Sequence, residues 1–173
     1  ESTERAIARS SVANRSRRDV IIASGPDASS YLHGQVSQNI TRLGIGESTR
    51  TLLLSPQGRI DAWTRVTRVG AETYWLDVDP GFGAAMLARL DRFKLRTKAT
   101  FELLEASSVE VRGPGSPERA TLDANSPEPD VIDAELCWGD RPGFDRIGRA
   151  VTVPTGVALG HPAAFEAARI VSG

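Results

Sequence analysis

Three runs of alternating residues joined by short turns constrain the fold most. The run 49–54 enters a Ser-Pro-Gln-Gly turn at residues 55–58, and the run 59–69 leaves it. A third run, 72–79, follows after two more residues. Strands joined by short turns pair as antiparallel hairpins, because the turn brings the second strand back beside the first. The sequence therefore predicts an antiparallel sheet.

Two helical segments interrupt the strands. Asp27 is a candidate N-cap of the first, whose apolar residues recur at helical spacing as far as Ile40. The second begins near Pro80 and carries Met86 on an apolar stripe. We expect each helix to cover one face of the sheet.

Further strands complete a mixed pattern. Residues 17–25 precede the first helix, and residues 98–105 and 108–113 follow the second. The resulting order, β-α-β-β-β-α-β-β, is typical of an α+β fold with antiparallel sheets and flanking helices rather than of a doubly wound sheet.

The remaining third of the chain begins with residues 113–130, which are rich in Pro, Gly, Ser and Asp and predict a linker or long surface loop. After this loop, residues 133–140 and 148–153 are typical of strands, and residues 162–172 are typical of a helix.

This pattern predicts a first α+β module at residues 1–112 and the start of a truncated second module at residues 131–173. The chain begins on Glu1 and stops just after a helical segment. We therefore expect the N-terminal part of a larger multi-domain protein.

Composition disfavours several classes of function. The net charge of −1 lacks the basic surplus of nucleic-acid-binding proteins. No apolar run is long enough to cross a membrane. The one cysteine, Cys137, excludes an internal disulfide and favours the cytoplasm. His33 and His161 are far apart in the sequence, which disfavours a histidine metal site, and we predict no bound metal.

Strand parity places aromatic and acidic side chains together. The odd positions of the second run include Asp61 and Trp63, and those of the third include Trp75 and Asp79. This pattern suits a flat, nitrogen-rich heterocycle, because the ring stacks and the carboxylate accepts hydrogen bonds from adjacent N–H groups. The alternative is that these faces are solvated, as in many antiparallel sheets.

Other chemistry-bearing residues have simpler interpretations. Gly81-Phe-Gly is typical of a helix entry, because a full dinucleotide fingerprint is missing. His33 is interpreted as a structural or surface residue, and Cys137 as a buried strand residue rather than a reactive thiol. A basic cluster, more typical of a solvated face than of an anion site, consists of Arg15, Arg17 and Arg18.

Five segments carry a family resemblance through their order and spacing. They are VIIASGPDASSYLHGQVSQNI (20–40), LLLSPQGRIDAW (52–63), WLDVDPGF (75–82), LARLDRFKLRTKATFELLE (87–105) and AAFEAARIVSG (163–173). Together they resemble the YgfZ-type folate-binding proteins, relatives of the glycine-cleavage T protein, an aminomethyltransferase.

The resemblance implies T-protein-like modules around a central folate pocket, with tetrahydrofolate or a derivative as the ligand. The YgfZ-type branch is linked to folate-dependent maintenance of iron–sulfur proteins, whereas the T-protein branch transfers a one-carbon unit to tetrahydrofolate. It also implies that the chain associates with its own missing C-terminal part.

Two residues lie where the T protein has functional residues, and two more fall near folate-contacting tryptophans from which they depart. Asp61 lies where the T protein has the first of two acids, and it is the one candidate catalytic residue, although Ala62 replaces the second acid. Asp79 falls where the T protein has a folate-contacting asparagine. Arg18 and Phe165 fall near two folate-contacting tryptophans of a YgfZ-type protein, and a phenylalanine can still stack. The expected ligand-binding residues are therefore Asp61, Asp79, Trp63, Trp75, Phe165 and Arg18.

Two departures bear on the activity. Val171 stands where T-protein relatives have a glutamate that reads the pterin edge, and the Lys-Gly-Cys-Tyr-x-Gly-Gln-Glu signature of the YgfZ type, whose usual place is downstream of the last helical segment, does not occur in these residues. We therefore predict a cytoplasmic tetrahydrofolate-binding protein that supports iron–sulfur protein assembly or repair, with no reaction assigned. The alternatives are a folate-dependent aminomethyltransferase and a protein-binding scaffold without folate.

Overall fold

The computed structural model describes residues 10–120, 122, 129–136 and 142–171. Within these residues the chain forms eight strands and three helices. The strands are β1 Val12–Ser24, β2 Ser48–Leu54, β3 Ile60–Arg68, β4 Thr73–Val78, β5 Thr100–Arg112, β6 Val131–Glu135, β7 Gly143–Gly148 and β8 Ala158–Leu159. The helices are α1 Ala28–His33, α2 Gly83–Arg92 and α3 Pro162–Val171.

These elements form two compact units. Unit A contains residues 17–106, 122 and 129, and unit B contains residues 10–16, 107–120 and 130–171 as far as these are described. The boundaries fall inside β1 and β5, which contribute residues to both units. The units thus divide the chain differently from the predicted linear modules at 1–112 and 131–173, because residues 12–16 of β1 belong with the C-terminal segments.

Unit A is the predicted antiparallel sheet. Its strands lie in the order β2-β3-β4-β1-β5, and Leu76 of β4 is opposite both Val66 of β3 and Ile21 of β1. Ala62 and Val66 of β3 face the core, as alternation predicts. This core contains Ile21, Leu32, Leu53, Val66, Leu76, Met86 and Leu90.

Helix α1 ends sooner than its apolar spacing predicts. It stops at His33, whereas the predicted helix continued to Ile40. Val36 instead forms an isolated antiparallel bridge with Leu53 of β2. The pairing of the chain with the edge of the sheet therefore overrides the helical spacing, although Ile40 is still buried in the same core.

Helix α2 is confirmed, and a buried carboxylate fixes its start. The Oδ2 atom of Asp19 in β1 accepts hydrogen bonds of 2.8 Å from the backbone N–H groups of both Gly81 and Gly83. A Cβ atom on Gly83 would lie 2.6 Å from Cβ of Asp19 and from Cδ1 of Leu103. Only glycine therefore allows the chain to approach the strand this closely.

Unit B contains the order β1-β5-β7-β6, with β8 parallel to β1. Val109 and Val111 of β5 pack with Phe144 of β7 in its core. The predicted strands at 98–105 and 108–113 form one continuous strand, β5. The predicted strand at 148–153 is wrong, because the pairing with β5 and β6 uses residues 143–148 instead. Cys137 lies outside the described residues.

We expect the Asp19→Ala substitution to lower the free energy of unfolding by about 1–3 kcal/mol, because two buried N–H groups lose their acceptor. Urea denaturation measures this change. Asp19→Asn is the matched control, since it keeps one acceptor oxygen and should lose less. Equal losses in both variants would contradict the role of Asp19 as the acceptor for the N–H groups of Gly81 and Gly83.

Candidate functional site

The face of unit A opposite its apolar core carries a buried ionic cluster. Asp77 of β4 lies directly opposite Arg65 of β3 in the strand register. Arg65 Nε lies 2.8 Å from Asp77 Oδ2, and Arg65 Nη2 lies 3.1 Å from Asp77 Oδ1. The two side chains are almost fully buried. This ion pair excludes the interpretation of these strand faces as simply solvated.

Arg18 of β1 joins the same cluster. Its Nη2 atom lies 2.9 Å from Asp77 Oδ1, and its Nη1 atom forms an ion pair with Asp79. The side chain of Asp79 is 73% exposed. Two of the residues expected to bind ligand, Arg18 and Asp79, are therefore in direct contact at the exposed end of the cluster.

The two tryptophans on this face have opposite environments. Trp63 of β3 is 65% exposed, and the guanidinium of Arg50 lies 5.6 Å from its ring centroid. Trp75 of β4 is only 3% exposed. Trp63 therefore presents an open aromatic surface next to a cation, whereas Trp75 is part of the packed interior.

Asp61 does not share this face, because the strand is irregular at that point. The β2–β3 register shifts between Leu53 and Leu54, so Asp61 is the extra residue of a bulge. A bulge bends the strand and re-aims a side chain. The Oδ2 atom of Asp61 accepts a 3.0 Å hydrogen bond from Nε of Arg89, which belongs to the core-covering helix α2.

Arg89 is a site residue that the alternation of strand residues did not identify, because it belongs to helix α2. Besides Asp61, its guanidinium donates to Oε1 of Gln35 at 3.1 Å and to the carbonyl oxygen of Leu54 at 2.9 Å. Its position three residues after Met86, at the edge of the apolar stripe of α2, was the available sequence signal. Asp61 therefore positions an arginine that joins three elements.

Unit B has a polar cluster of its own around Glu110. The carboxylate accepts hydrogen bonds from Nδ2 of Asn14 at 3.1 Å and from the hydroxyl of Ser16 at 3.2 Å. Asp145 lies opposite Glu110 in the β5–β7 register. Burial, and then the charge of Asp145, raise the pKa of Glu110 above its ordinary value. Sequence reasoning missed this carboxylate because Glu110 alternates with Val109 and Val111, as an ordinary solvent-facing strand residue would.

The remaining predicted residues have structural environments. Phe165 of α3 lies in unit B, where it is buried against Val12 and Ala168. His33 is an exposed residue at the end of α1, as predicted. Among the described residues, no group of three His, Cys, Asp or Glu side chains is arranged to hold a metal ion, and no helix is long and apolar enough to span a membrane.

The chain was compared with known proteins, and no family model matches it. An uncharacterized protein of Haemophilus influenzae is 30% identical over 94 residues, which are 54% of this chain and 34% of that protein. A protein of Phaeosphaeria nodorum, named a mitochondrial homolog of the iron–sulfur cluster assembly factor IBA57, is 32% identical over 112 residues, which are 61% of this chain and 27% of that protein. The chain thus spans about a third or less of these relatives.

A second IBA57 homolog, from Neurospora crassa, is 32% identical over 94 residues, or 51% of this chain and 21% of that protein. The aminomethyltransferase T of the glycine cleavage system from Bartonella henselae matches in structure with a TM-score of 0.67 and 19% identity, over 96% of this chain and 47% of that one. The chain is thus similar in sequence to two IBA57 homologs and in fold to a T protein. The predicted α+β fold with antiparallel strands is confirmed as T-protein-like.

We expect the Asp77→Ala substitution to lower the free energy of unfolding by about 3–5 kcal/mol, because it leaves the buried charge of Arg65 without its partner. Denaturant unfolding measures this loss. Asp79→Ala is the matched control, since an exposed ion pair with Arg18 contributes about 1 kcal/mol or less. Similar losses in both variants would contradict the special role of the buried carboxylate.

A second expectation concerns pH. Because the pKa of Glu110 is raised in the folded state, the folded protein binds the Glu110 proton more tightly than the unfolded chain does. Stability should therefore fall as the pH rises above the ordinary carboxyl pKa of 4.5. Glu110→Gln should remove this dependence, so its stability relative to the unmodified protein should increase from acid to neutral pH.

Chemical denaturation at a series of pH values measures this difference. Glu105→Gln removes an exposed carboxylate from the same strand and is the matched control. If the stability of Glu110→Gln parallels that of the unmodified chain across the series, the buried carboxylate does not control the pH response.

Proposed function

We propose that this chain binds a reduced folate and supports the assembly or repair of iron–sulfur proteins. The likeness to two IBA57 homologs, each 32% identical, carries the proposal. The T-protein fold supports the folate part, because that fold extends over 96% of the chain. This chain covers 27% and 21% of these two homologs, so a role in iron–sulfur cluster assembly is a proposal for this chain.

The chemistry of unit A fits a folate. Trp63 offers an exposed ring on which an aromatic heterocycle can stack, and Arg50 beside it suits an anionic group. Asp79 offers exposed carboxylate oxygens to N–H donors while Arg18 holds it. We propose that Trp63, Asp79 and Arg18 contact the ligand; bound folate supplies a carrier of one-carbon groups.

Asp61 has a different role in this proposal. Its Oδ2 atom is hydrogen-bonded to Arg89, which commits part of this carboxylate to a contact within the protein. We propose that Asp61 acts as a positioning residue that holds Arg89 between the hairpin and helix α2. Ala62 packs against the apolar core beside it, and no observed geometry favours the aminomethyltransferase alternative.

Two predicted stacking residues are assigned to structure instead. Trp75 and Phe165 are buried within their own units, so we propose that they stabilise the fold and do not contact the ligand. The cytoplasmic location stays a prediction, whereas the two IBA57 homologs are named as mitochondrial proteins.

Titration with tetrahydrofolate and with 5-formyl-tetrahydrofolate tests the proposal. We expect saturable quenching of tryptophan fluorescence, because the ligand stacks on the exposed ring of Trp63. Trp63→Leu should lose most of the quenching, and Asp79→Ala should weaken binding by about tenfold, the equivalent of one good charge-assisted hydrogen bond. Calorimetry gives the affinity of each variant independently of fluorescence.

The Asp61→Ala variant separates positioning from contact. We expect a smaller loss of affinity than in Asp79→Ala, accompanied by lower stability of unit A, because Arg89 loses its partner. Asp91→Ala removes another exposed carboxylate and is the control. Absence of binding to both folates would refute the folate proposal, and a greater loss in Asp61→Ala than in Asp79→Ala would make Asp61 a ligand contact.

A further inference from the structure

The last residues of helix α2 and the loop after them are strongly basic, and the loop exposes apolar side chains. Residues 89–98 contain five arginines or lysines and one acid, Asp91, in a chain whose net charge is −1. In the loop, the side chain of Leu95 is 86% exposed, which is more than for any other large hydrophobic residue that the structure describes. An exposed apolar side chain among cations is a feature that core packing does not explain.

Arg89 connects this loop to the tip of the β2–β3 hairpin. It is bonded to Asp61 on one side, and its guanidinium lies 4.1 Å from the ring centroid of Phe93 on the other. Ile60, the chain neighbour of Asp61, is 63% exposed. The hairpin tip therefore adds another apolar side chain. We call this combined area the loop surface; it consists of Ile60, Arg92, Phe93, Leu95, Arg96 and Lys98.

The loop is held in one conformation. The backbone N–H of Lys98 donates to Oδ2 of Asp27 at 2.8 Å, and its carbonyl oxygen accepts from the N–H of Asp27 at 3.3 Å. Arg96 has a left-handed backbone with φ of 59°, a conformation that non-glycine residues adopt at an energetic cost. Leu95 is thus presented on an ordered turn, which lowers the entropic cost of binding a partner.

Three of the five cations are available to a partner. Arg89 pairs with Asp61, and Lys94 pairs with Asp91 at 3.2 Å. Within the part of the chain that the structure describes, no carboxylate forms an ion pair with the other three, all of which are exposed. These three cations, which flank the apolar side chains, are Arg92, Arg96 and Lys98.

We propose that the loop surface docks an acidic segment of a partner protein. An aliphatic or aromatic side chain of that segment packs against Leu95 and Phe93, and its carboxylates meet the three available cations. The charges steer the encounter and set the orientation, and the apolar contact holds the complex. This inference stands independently of folate binding.

The apolar centre favours a protein segment over other polyanions. Protein interfaces combine an apolar core with a charged rim, which is the arrangement around Leu95. A nucleic acid backbone would engage the cations and leave Leu95 in water. An anionic membrane usually requires a longer amphipathic helix, whereas here Phe93 already lies beneath the guanidiniums of Arg89 and Arg92.

Fluorescence anisotropy with defined peptides tests the inference. The probe is a fluorescein-labelled peptide of glutamates around a pair of leucines, and its two matched controls replace either the leucines by serine or the glutamates by glutamine. We expect the probe alone to bind appreciably, and its affinity to fall as salt rises. Leu95→Ser and the triple charge reversal Arg92→Glu, Arg96→Glu, Lys98→Glu should each weaken it by about tenfold or more.

A matched triple reversal at exposed arginines outside the loop, Arg15→Glu, Arg17→Glu and Arg42→Glu, should leave probe binding nearly unchanged. Circular dichroism verifies that each variant is folded. Failure of the probe to bind, or equal loss in both triple variants, overturns the proposal. So does loop-dependent binding of single-stranded RNA or phosphatidylserine vesicles in place of the peptide, or dimerisation of the chain that Leu95→Ser abolishes.

Discussion

The buried negative charge of Asp77 is the constraint on which unit A depends. A carboxylate taken out of water requires paired donors, and here it has two arginines from the strands on either side. Arg65 reaches it from β3 and Arg18 from β1, so one charge joins three adjacent strands. A slip of either neighbouring strand by one residue would turn its arginine to the other face and leave the buried carboxylate with only the arginine of the other strand. The cluster therefore specifies the register that the apolar core shares.

Sequence reasoning recovered the elements whose pattern is local. The hairpin strands and helix α2 could be predicted because their apolar residues repeat with a period that only one element can satisfy. It failed where a distant partner decided the conformation. Val36 left its helical pattern for a bridge with Leu53, and β7 begins five residues before the segment with the better strand composition. Such pairings depend on which strand edge still has unpaired backbone groups in the folded sheet. The amino-acid composition of a segment gives no information about this.

Sequence reasoning was limited in the same way for single residues of the site, because tertiary contacts decide where their side chains lie. Parity correctly placed Trp63 and Trp75 on one face, but it also placed Asp61 there. One extra residue in β3 breaks the two-residue period, and the carboxylate meets Arg89 instead. Parity also carries no information about depth, which is why Trp63 and Trp75 were equivalent in the sequence and differ in exposure. Both distinctions arise from tertiary packing.

The passage of β1 and β5 through both units gives the chain the layout of a domain insertion. Unit B begins before residue 17 and resumes after residue 106, and all of the 17–106 segment of unit A lies between. The two ends of that segment are on neighbouring strands, the geometry in which one domain is accommodated within another. A cut at residue 112 would consequently divide unit B, whereas excision of residues 17–106 with a short bridging turn would leave its segments able to rejoin. The 17–106 segment of unit A is thus inserted in the sequence between two segments of unit B.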